Sequence, residues 1–185
     1  KFENVFVHGC GTGFHDQLVT SGTLSLGFSA TAMHYVSEKP CQILNHVHMV
    51  GASDIERNKF KKQALVDWEA ILSARAKELE PGGRFICINF GIDENGRYLG
   101  NTGDKSMFES FNRHWKGHLD SGIITEEEFI SATFPQHYRT VEEFSQPFVG
   151  NDCLANKIGL KLNRIFTKLT KCPYRQEYEN NNATT

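Results

Sequence analysis

Two stretches of the sequence decide the fold: residues 24–40, LSLGFSATAMHYVSEKP, and residues 79–91, LEPGGRFICINFG. Each contains a short apolar run that predicts a strand, and each ends in a loop that could carry binding or catalytic residues. One long helical pattern lies between them. A strand, a loop, a helix and a second strand in this order are typical of an open α/β sheet, in which ligands bind beyond the carboxyl ends of the strands.

The helix between the two stretches has a clear beginning and end. Ser53 is a good N-cap, and Glu56 three residues later completes a capping box. Apolar side chains then recur at helical spacing, at Leu65, Trp68, Leu72 and Leu79. We therefore predict a helix over residues 54–79 that is stopped at residues 81–83, PGG. Residues 84–90 are nearly all apolar and predict a buried strand.

The rest of the chain yields shorter predicted elements. Toward the amino end they are a strand over residues 4–8, a glycine-rich loop over 9–13, a helix over 14–19 and a turn at 20–22. Toward the carboxyl end they are a polar loop over 91–103, helices over 107–119 and after Thr125, a helical turn at 141–144, a strand within 160–169 and a disordered tail over 177–185.

The composition is that of one ordinary globular domain. The chain has 185 residues and a net charge of −2, with no basic block, so a nucleic-acid partner has no electrostatic support. No apolar run approaches the ~20 residues that a membrane helix needs, and the first residues do not open a signal peptide. The five cysteines are widely spaced, without a CxxC pair. These features favour reduced thiols, a cytoplasmic location and no membrane partner.

Residues 5–13, VFVHGCGTG, are a first candidate site. A strand that runs into a GxGxG loop is similar to the nucleotide loop of class I methyltransferases, where glycines let the backbone approach a ligand closely. Only ten residues separate Gly13 from Leu24, however, which is too short for one crossover connection in a parallel sheet. The pattern is therefore weak as a first cofactor loop.

A hydrolase and a metal site are two further alternatives. The stretch His8-Gly9-Cys10-Gly11 is similar to an oxyanion loop, and Ser29 follows a predicted strand as in a nucleophile elbow. The last glycine of that elbow is missing, and no Asp and His pair stands out at later strand ends. His46 and His48 form an HVH pair without a Cys or carboxylate partner at ligand spacing, so we interpret them as two surface histidines.

Several short blocks stand in a characteristic order between Gly11 and Leu162. They are residues 12–15 (TGFH), 28–37 (FSATAMHYVS) with Pro40, 81–84 (PGGR), 90–91 (FG), 120–128 (DSGIITEEE) and 134–138 (FPQHY). Together they resemble the SABATH methyltransferases, the S-adenosylmethionine-dependent carboxyl methyltransferases of the salicylate, jasmonate and caffeine-pathway type. The matching family elements are a GSFY-like loop, an HSSxxxxWLSxxP block, PGGR, SEGLIxEE and IPxY.

The resemblance implies an α/β fold, namely a partial Rossmann-like class I methyltransferase sheet with a helical cap inserted after the strand from Arg84 to Gly91. It implies residues 1–103 as the C-terminal half of the methyltransferase core, 104–150 as the helical cap, 151–176 as a late strand region that returns to the core, and 177–185 as a disordered tail. The main cofactor loop of the family, its ribose-binding carboxylate and a substrate-clamping glutamine have no counterpart here, so we expect a fragment.

The resemblance also implies site residues. S-adenosyl-L-methionine is the expected cofactor, held at Gly13 and Phe14, although plant members have a serine at the Gly13 position. Tyr35 replaces a tryptophan that donates a hydrogen bond to the substrate carboxylate, and a phenol can also donate. The other expected substrate-binding residues are His34, where the family has Met or His, and Thr31, Phe90, Met107 and Phe108, which wall the apolar part.

The expected reaction is in-line transfer of the methyl group to the carboxylate of a small apolar acid. That carboxylate is an anion at neutral pH, so no general base and no catalytic residue are expected. The family alternatives are N-methylation of a nitrogen heterocycle and a non-catalytic fragment that binds small acids. Magnesium-binding relatives use an Asn and an Asp where this chain has Gln42 and Ile130, so no metal is expected. The family suggests a homodimer.

Overall fold

The fold is built on one β-α-β unit. The computed structural model describes residues 3–101 and 106–182. Strand β1 (Leu24–Ala30), helix α1 (Asp54–Glu78) and strand β2 (Leu79–Ile88) follow one another, and β1 pairs with β2 in parallel. This arrangement confirms the predicted α/β class and puts the loops after β1 and β2 at the same edge of the sheet.

Helix α1 begins as predicted. The Ser53 side chain accepts a hydrogen bond from the Glu56 N–H, and the Glu56 carboxylate accepts one from the Ser53 N–H at 2.8 Å. One face of α1 carries the buried apolar side chains Phe60, Ala64, Trp68, Ile71 and Leu72. The helix therefore gains most of its stability by packing this face against the sheet and the segments around it.

Strand β2 begins one residue after α1 ends and includes Pro81, Gly82 and Gly83, which we had predicted to stand between helix and strand. The pairing with β1 is irregular there, since Leu24 lies opposite Leu79 whereas Leu26 lies opposite Arg84. A Cβ atom at Gly83 would lie 2.7 Å from the Leu24 carbonyl oxygen, and Gly82 has a φ of +85°. Glycine lets the extra residues fit between the strands.

The two faces of the sheet differ. Phe85 and Cys87 of β2 point toward α1, where they pack against Trp68 and its apolar neighbours. The opposite face presents the exposed apolar side chains Leu26, Phe28, Ile86 and Ile88. The prediction of a buried strand is therefore wrong for one face, because no described residue covers it.

Shorter elements follow β2 along the chain. They are β3 (Gly91–Ile92), α2 (Met107–Asp120), α3 (Glu126–Ser131), β4 (Arg139–Thr140), α4 (Val141–Ser145), α5 (Leu154–Ile158) and α6 (Pro173–Asn182). Strand β3 pairs with β4 in parallel, and α2 packs on α3. Thr125 caps α3, and the structure adds a capping box with Glu128 that was not predicted. Within the described ranges, none of the helices has the length and hydropathy to cross a bilayer.

Several predicted elements are wrong. Residues 4–8 do not form a strand but an exposed chain, because no described strand lies beside Val5, Phe6 and Val7. Residues 14–19 form turns instead of a helix, since Arg75 binds the carbonyl oxygens of Phe14 and Asp16. Residues 160–169 show only partial alternation and are not a strand. The tail predicted to be disordered is helical up to residue 182, and residues 183–185 lie outside the described residues.

Candidate acceptor site

A cavity of about 230 Å³ opens beside the segments that follow β1 and β2. Its lining residues are His34, Tyr35, Phe90, Leu99, Met107, Phe108, Phe134, Gln136 and Tyr138. Five of the six residues predicted to hold an acceptor meet here. The sixth, Thr31, is exposed and lies outside the lining; its N–H donates a hydrogen bond to the Ile88 carbonyl at 2.8 Å at the end of the strand pair.

A β-bridge holds the polar side of the cavity together. Tyr35 pairs with Gln136 in antiparallel orientation. On one side of the bridge, the His137 N–H donates to the His34 carbonyl at 2.8 Å, and on the other the Val36 N–H donates to the Pro135 carbonyl at 2.9 Å. Residues directly opposite each other in such a bridge have side chains on the same face. The Tyr35 phenol and the Gln136 amide are therefore neighbours.

Arg139 fixes the segment that carries His34. Its guanidinium is buried and donates to the carbonyl oxygens of Met33 and Ala64, both at 2.6 Å. It also lies over the Trp68 and Phe144 rings. Burial lowers the pKa of Arg139 to about 10, and the charges of Asp67 and Glu143 counteract part of that shift. Arg139 thus stays charged at neutral pH and links the end of β1 to α1.

His34 contributes a neutral imidazole to the cavity wall. Its Nδ1 lies 3.1 Å from Asn89 Oδ1, and its ring packs on Tyr35, Phe90 and Tyr138 at centroid distances of 4.6, 5.0 and 5.6 Å. Burial lowers the pKa of His34; the hydrogen bond with Asn89 raises it by less, and the charge of Arg139 lowers it further. With the proton on Nδ1 facing Asn89, Nε2 is a hydrogen-bond acceptor.

The apolar wall is aromatic and tightly packed. Phe108, Phe134 and Tyr138 meet edge to face, with centroid distances of 6.3 Å for Phe108–Phe134 and 6.1 Å for Phe108–Tyr138. Burial raises the pKa of Tyr138 to about 12, so its phenol stays protonated. Met107 follows the Ser106 N-cap of α2 and completes this wall. Such a pocket excludes water from an apolar ligand and offers few polar groups to orient it.

His46 and His48 are buried, not surface residues as predicted. His48 caps the short 3₁₀ turn at Met49–Gly51: its Nδ1 accepts a hydrogen bond from the Val50 N–H at 3.3 Å. Its ring stacks on Phe108 at 3.9 Å, with only 9° between the ring planes. Burial lowers the pKa of His48 to about 3. His48 therefore supports the cavity wall from behind as a neutral ring, and His46 lies buried beside its backbone.

Gly13 and Phe14, the predicted cofactor residues, do not line this cavity. Phe14 packs on the cluster that contains Met33, the residue before His34. Arg75 donates to the Phe14 carbonyl at 3.0 Å and forms a buried ion pair with Glu78 at 2.6 Å. Burial raises the pKa of Glu78, but the hydrogen bonds from Arg75 and from the backbone of Leu18 outweigh it and hold the pKa below its ordinary value.

The structure does not place Ser29 where a hydrolase needs its nucleophile. Ser29 lies inside β1, opposite Cys87, and the strand continues to Ala30. A nucleophile elbow needs a sharp turn directly at the serine, which would expose its hydroxyl above the sheet. The interpretation of residues 9–13 as a first cofactor loop also fails, because residues 3–8, where the description of the chain begins, form no strand before it.

Sequence reasoning missed four lining residues: Leu99, Phe134, Gln136 and Tyr138. Three of them belong to the FPQHY block, which the sequence places in a loop after α3. The FPQHY block itself is the sequence signal that could have identified these three residues. A distinctive motif in a loop often binds a ligand or contacts another segment of the chain. Here the other segment is the one after β1, about one hundred residues earlier in the chain.

The chain is similar to three curated proteins that are all named as methyltransferases. Loganic acid O-methyltransferase of Catharanthus roseus is 23% identical over 157 residues, which are 80% of this chain and 42% of that protein. Farnesoic acid carboxyl-O-methyltransferase of Arabidopsis thaliana is 22% identical over 156 residues, 80% of this chain and 44% of that protein. Gibberellic acid methyltransferase 2 of Arabidopsis thaliana is 25% identical over 168 residues, 83% of this chain and 43% of that protein.

A solved structure of loganic acid methyltransferase with SAH shares the fold. The match has a TM-score of 0.69 and 19% identity, and it covers 85% of this chain and 46% of that one. This chain thus spans less than half the length of the relatives it matches. The family model for SAM-dependent carboxyl methyltransferases matches residues 1–161. The chain belongs to the family of S-adenosylmethionine-dependent carboxyl methyltransferases.

Proposed function

We propose that this chain supplies the acceptor pocket of a methyltransferase that moves the methyl group of S-adenosylmethionine to the carboxylate of a small apolar acid. The observation that carries the proposal is the cavity at which His34, Tyr35, Phe90, Met107 and Phe108 meet. Its walls are aromatic, and its polar groups lie together on the side of the Tyr35–Gln136 bridge. This layout suits a molecule with an apolar body and one polar end.

The surface at Gly13 and Phe14 leaves open space that suits the adenosine half of S-adenosylmethionine. Gly13 is exposed, and a Cβ atom built there would meet nothing within 4 Å. A ligand therefore has room beside the half-buried Phe14 ring, which the Arg75–Glu78 pair holds in place. We propose that these two residues contact the adenosine half of S-adenosylmethionine. Since Gly13 has no side chain, it offers backbone groups but no hydroxyl.

The residues of the pocket would bind and orient, not transfer protons. S-adenosylmethionine, when bound, supplies an activated methyl group on a positively charged leaving group. The acceptor carboxylate is already ionised at neutral pH. Tyr35 donates a hydrogen bond that aims the carboxylate, and the aromatic wall keeps water from it. Because the Tyr138 phenol stays protonated, it adds no negative charge that would repel the acid.

His34 fits two kinds of acceptor. A neutral His34 that accepts a hydrogen bond at Nε2 would suit an acid with a neighbouring hydroxyl group, and equally an N–H of a nitrogen heterocycle. This observation favours N-methylation as the second candidate activity.

We further propose that residues 104–150 form a helical cap and that the protein is a homodimer. We also propose a cytoplasmic location, which is in keeping with five free cysteines.

Calorimetry with S-adenosylmethionine tests the proposal. We expect the chain to bind it in the micromolar range. Gly13→Val should weaken this binding at least tenfold, because the new side chain fills the space beside Phe14 without touching the core. Gly9→Val is the matched control, since a Cβ atom there also meets nothing within 4 Å. Equal affinity for the Gly13→Val chain, or no binding by the unaltered chain, would contradict the proposal.

A further inference from the structure

Gln136 lines the cavity beside Tyr35, yet no role was predicted for it. Its backbone forms the antiparallel bridge with Tyr35, which puts the two side chains on the same face. Both line the cavity. An amide and a phenol side by side form a pair of neutral hydrogen-bond donors, which is what the two oxygens of a carboxylate accept.

The direction of the Gln136 amide is set by the buried ring behind it. His48 accepts a hydrogen bond from the Val50 N–H at Nδ1, so the neutral ring carries its proton on Nε2. His48 is fully buried, and its Nε2 has no hydrogen-bond partner of ordinary geometry. The Gln136 side chain raises the pKa of His48 against the larger lowering by burial, the effect of a group that accepts from the ring.

An Nε2–H group can interact favourably only with the carbonyl oxygen of the amide. If Oε1 of Gln136 turns toward His48, the NH₂ group turns away from it, toward the cavity. A buried donor without a full hydrogen bond costs free energy, and that cost falls as the amide moves closer. Catalytic hydrogen bonds are often long before a ligand binds and tighten in the complex.

We propose that Gln136 is a substrate-binding residue that donates its amide NH₂ to the acceptor carboxylate next to the Tyr35 phenol, and that His48 is the positioning residue that orients it. The inference rests on the proposed function, because it takes a carboxylate as the group to be bound. Together with Tyr35, Gln136 then gives the pocket two side chains that donate hydrogen bonds to the substrate carboxylate.

Titration of the chain with benzoate and with benzamide tests the proposal. Benzoate is a small apolar acid, and benzamide has nearly its shape without the charge. We expect Gln136→Glu to weaken benzoate binding about tenfold or more, because a carboxylate replaces the donor, and to change benzamide binding by less than about twofold. Gln136→Leu should weaken benzoate binding by about tenfold. Gln146→Leu, which makes the same change at an exposed residue outside this cavity, should leave it unchanged.

The role of His48 is tested by a double-mutant cycle. His48→Phe keeps a ring to stack on Phe108 but removes the Nε2–H group. We expect it to weaken benzoate binding by about threefold or more, and to have no further effect once Gln136 is leucine, because the two residues act as one unit. Additive effects would overturn the positioning role, and benzoate binding unaffected by Gln136→Glu would overturn the substrate-binding role.

Failure of this inference is distinguishable from failure of the proposed function. S-adenosylmethionine binding is measured on the same samples. A chain that binds benzoate through Gln136 but does not bind S-adenosylmethionine contradicts the proposed function and supports the inference. A chain that binds S-adenosylmethionine but binds benzoate independently of Gln136, or not at all, overturns the inference alone.

Discussion

Tyr35 and Gln136 lie opposite each other in an antiparallel β-bridge, and both side chains line the same cavity. The bridge joins the loop after β1 to the loop after α3. It therefore brings a residue from the sheet edge and a residue from the loop after α3 to one side of one cavity. Changes on either side of the bridge should act on the same bound group.

Replacing Tyr35 by Phe removes the phenol hydroxyl and keeps the ring. We expect this variant to bind a carboxylate ligand such as benzoate more weakly by about 1–3 kcal/mol, the usual cost of one lost hydrogen bond to a charged group. Calorimetry measures the change. Tyr174→Phe is the control, because Tyr174 is exposed on α6. If the Tyr35 and Tyr174 variants bind benzoate equally well, Tyr35 does not hold the acid.

The Arg75–Glu78 pair should carry much of the stability around the predicted cofactor residues. Both side chains are buried, and Glu78 receives hydrogen bonds from Arg75 at 2.6 and 2.7 Å. Glu78→Gln leaves the Arg75 charge uncompensated, so we expect the free energy of unfolding to fall by about 3–5 kcal/mol in urea titrations. The control is Glu80→Gln at an exposed position of β2. A loss no larger than that of the control would show that the pair is dispensable.

His48 should make the stability depend on pH. Burial lowers its pKa to about 3 in the folded chain, from near 6.5 in the unfolded chain; Gln136 raises it by less, and the neighbouring His46, His34 and His137 lower it further. Between these two values the unfolded state binds one more proton, so folding stability falls as the pH falls from about 6.5 toward about 3. The slope from one such group is at most about 1.4 kcal/mol per pH unit.

Urea titrations at several pH values measure this slope. His48→Phe should flatten it, whereas His114→Phe, at an exposed position of α2, should not. A slope that is the same with and without His48 would mean that other groups cause the acid sensitivity.

The exposed face of the sheet should behave as an apolar patch. Phe28 and Ile86 lie opposite each other on neighbouring strands and are 63% and 46% exposed, with Leu26 and Ile88 beside them. We expect the chain to bind the dye ANS at this face. The double variant Phe28→Lys, Ile86→Lys should lower the dye fluorescence, and the double variant Ile55→Lys, Val66→Lys on α1 is the control. Equal fluorescence of the two variants would place the dye elsewhere.

Local patterns predicted the parts of this fold that depend on neighbouring residues. The capping box at Ser53 was recognisable because it uses residues only three positions apart. The strand expected within residues 160–169 failed, because a strand needs a partner and partial alternation does not provide one. The burial of β2 was mistaken because apolar content does not show whether both faces are covered.

The family resemblance pointed to residues that the structure places together, and their role as a site stays a prediction. His34, Tyr35, Phe90, Met107 and Phe108 do meet at one cavity. Gln136 and His48 were missed because their places depend on contacts between distant segments: the bridge to Tyr35 and the stacking of His48 on Phe108. Thr31 was assigned to the wall by its position in a motif, but its N–H ends the β1–β2 pairing and its side chain stays exposed.

Methyl transfer itself tests the central claim most directly. The chain is incubated with S-adenosylmethionine labelled in its methyl group and with loganic, farnesoic or gibberellic acid, the acids in the names of its relatives. Benzoate and benzamide serve as the simplest acid and its uncharged counterpart. We predict label in the methyl ester of at least one acid and none in the amide. Label in no ester, from a chain that binds both S-adenosylmethionine and the acid, would contradict the account.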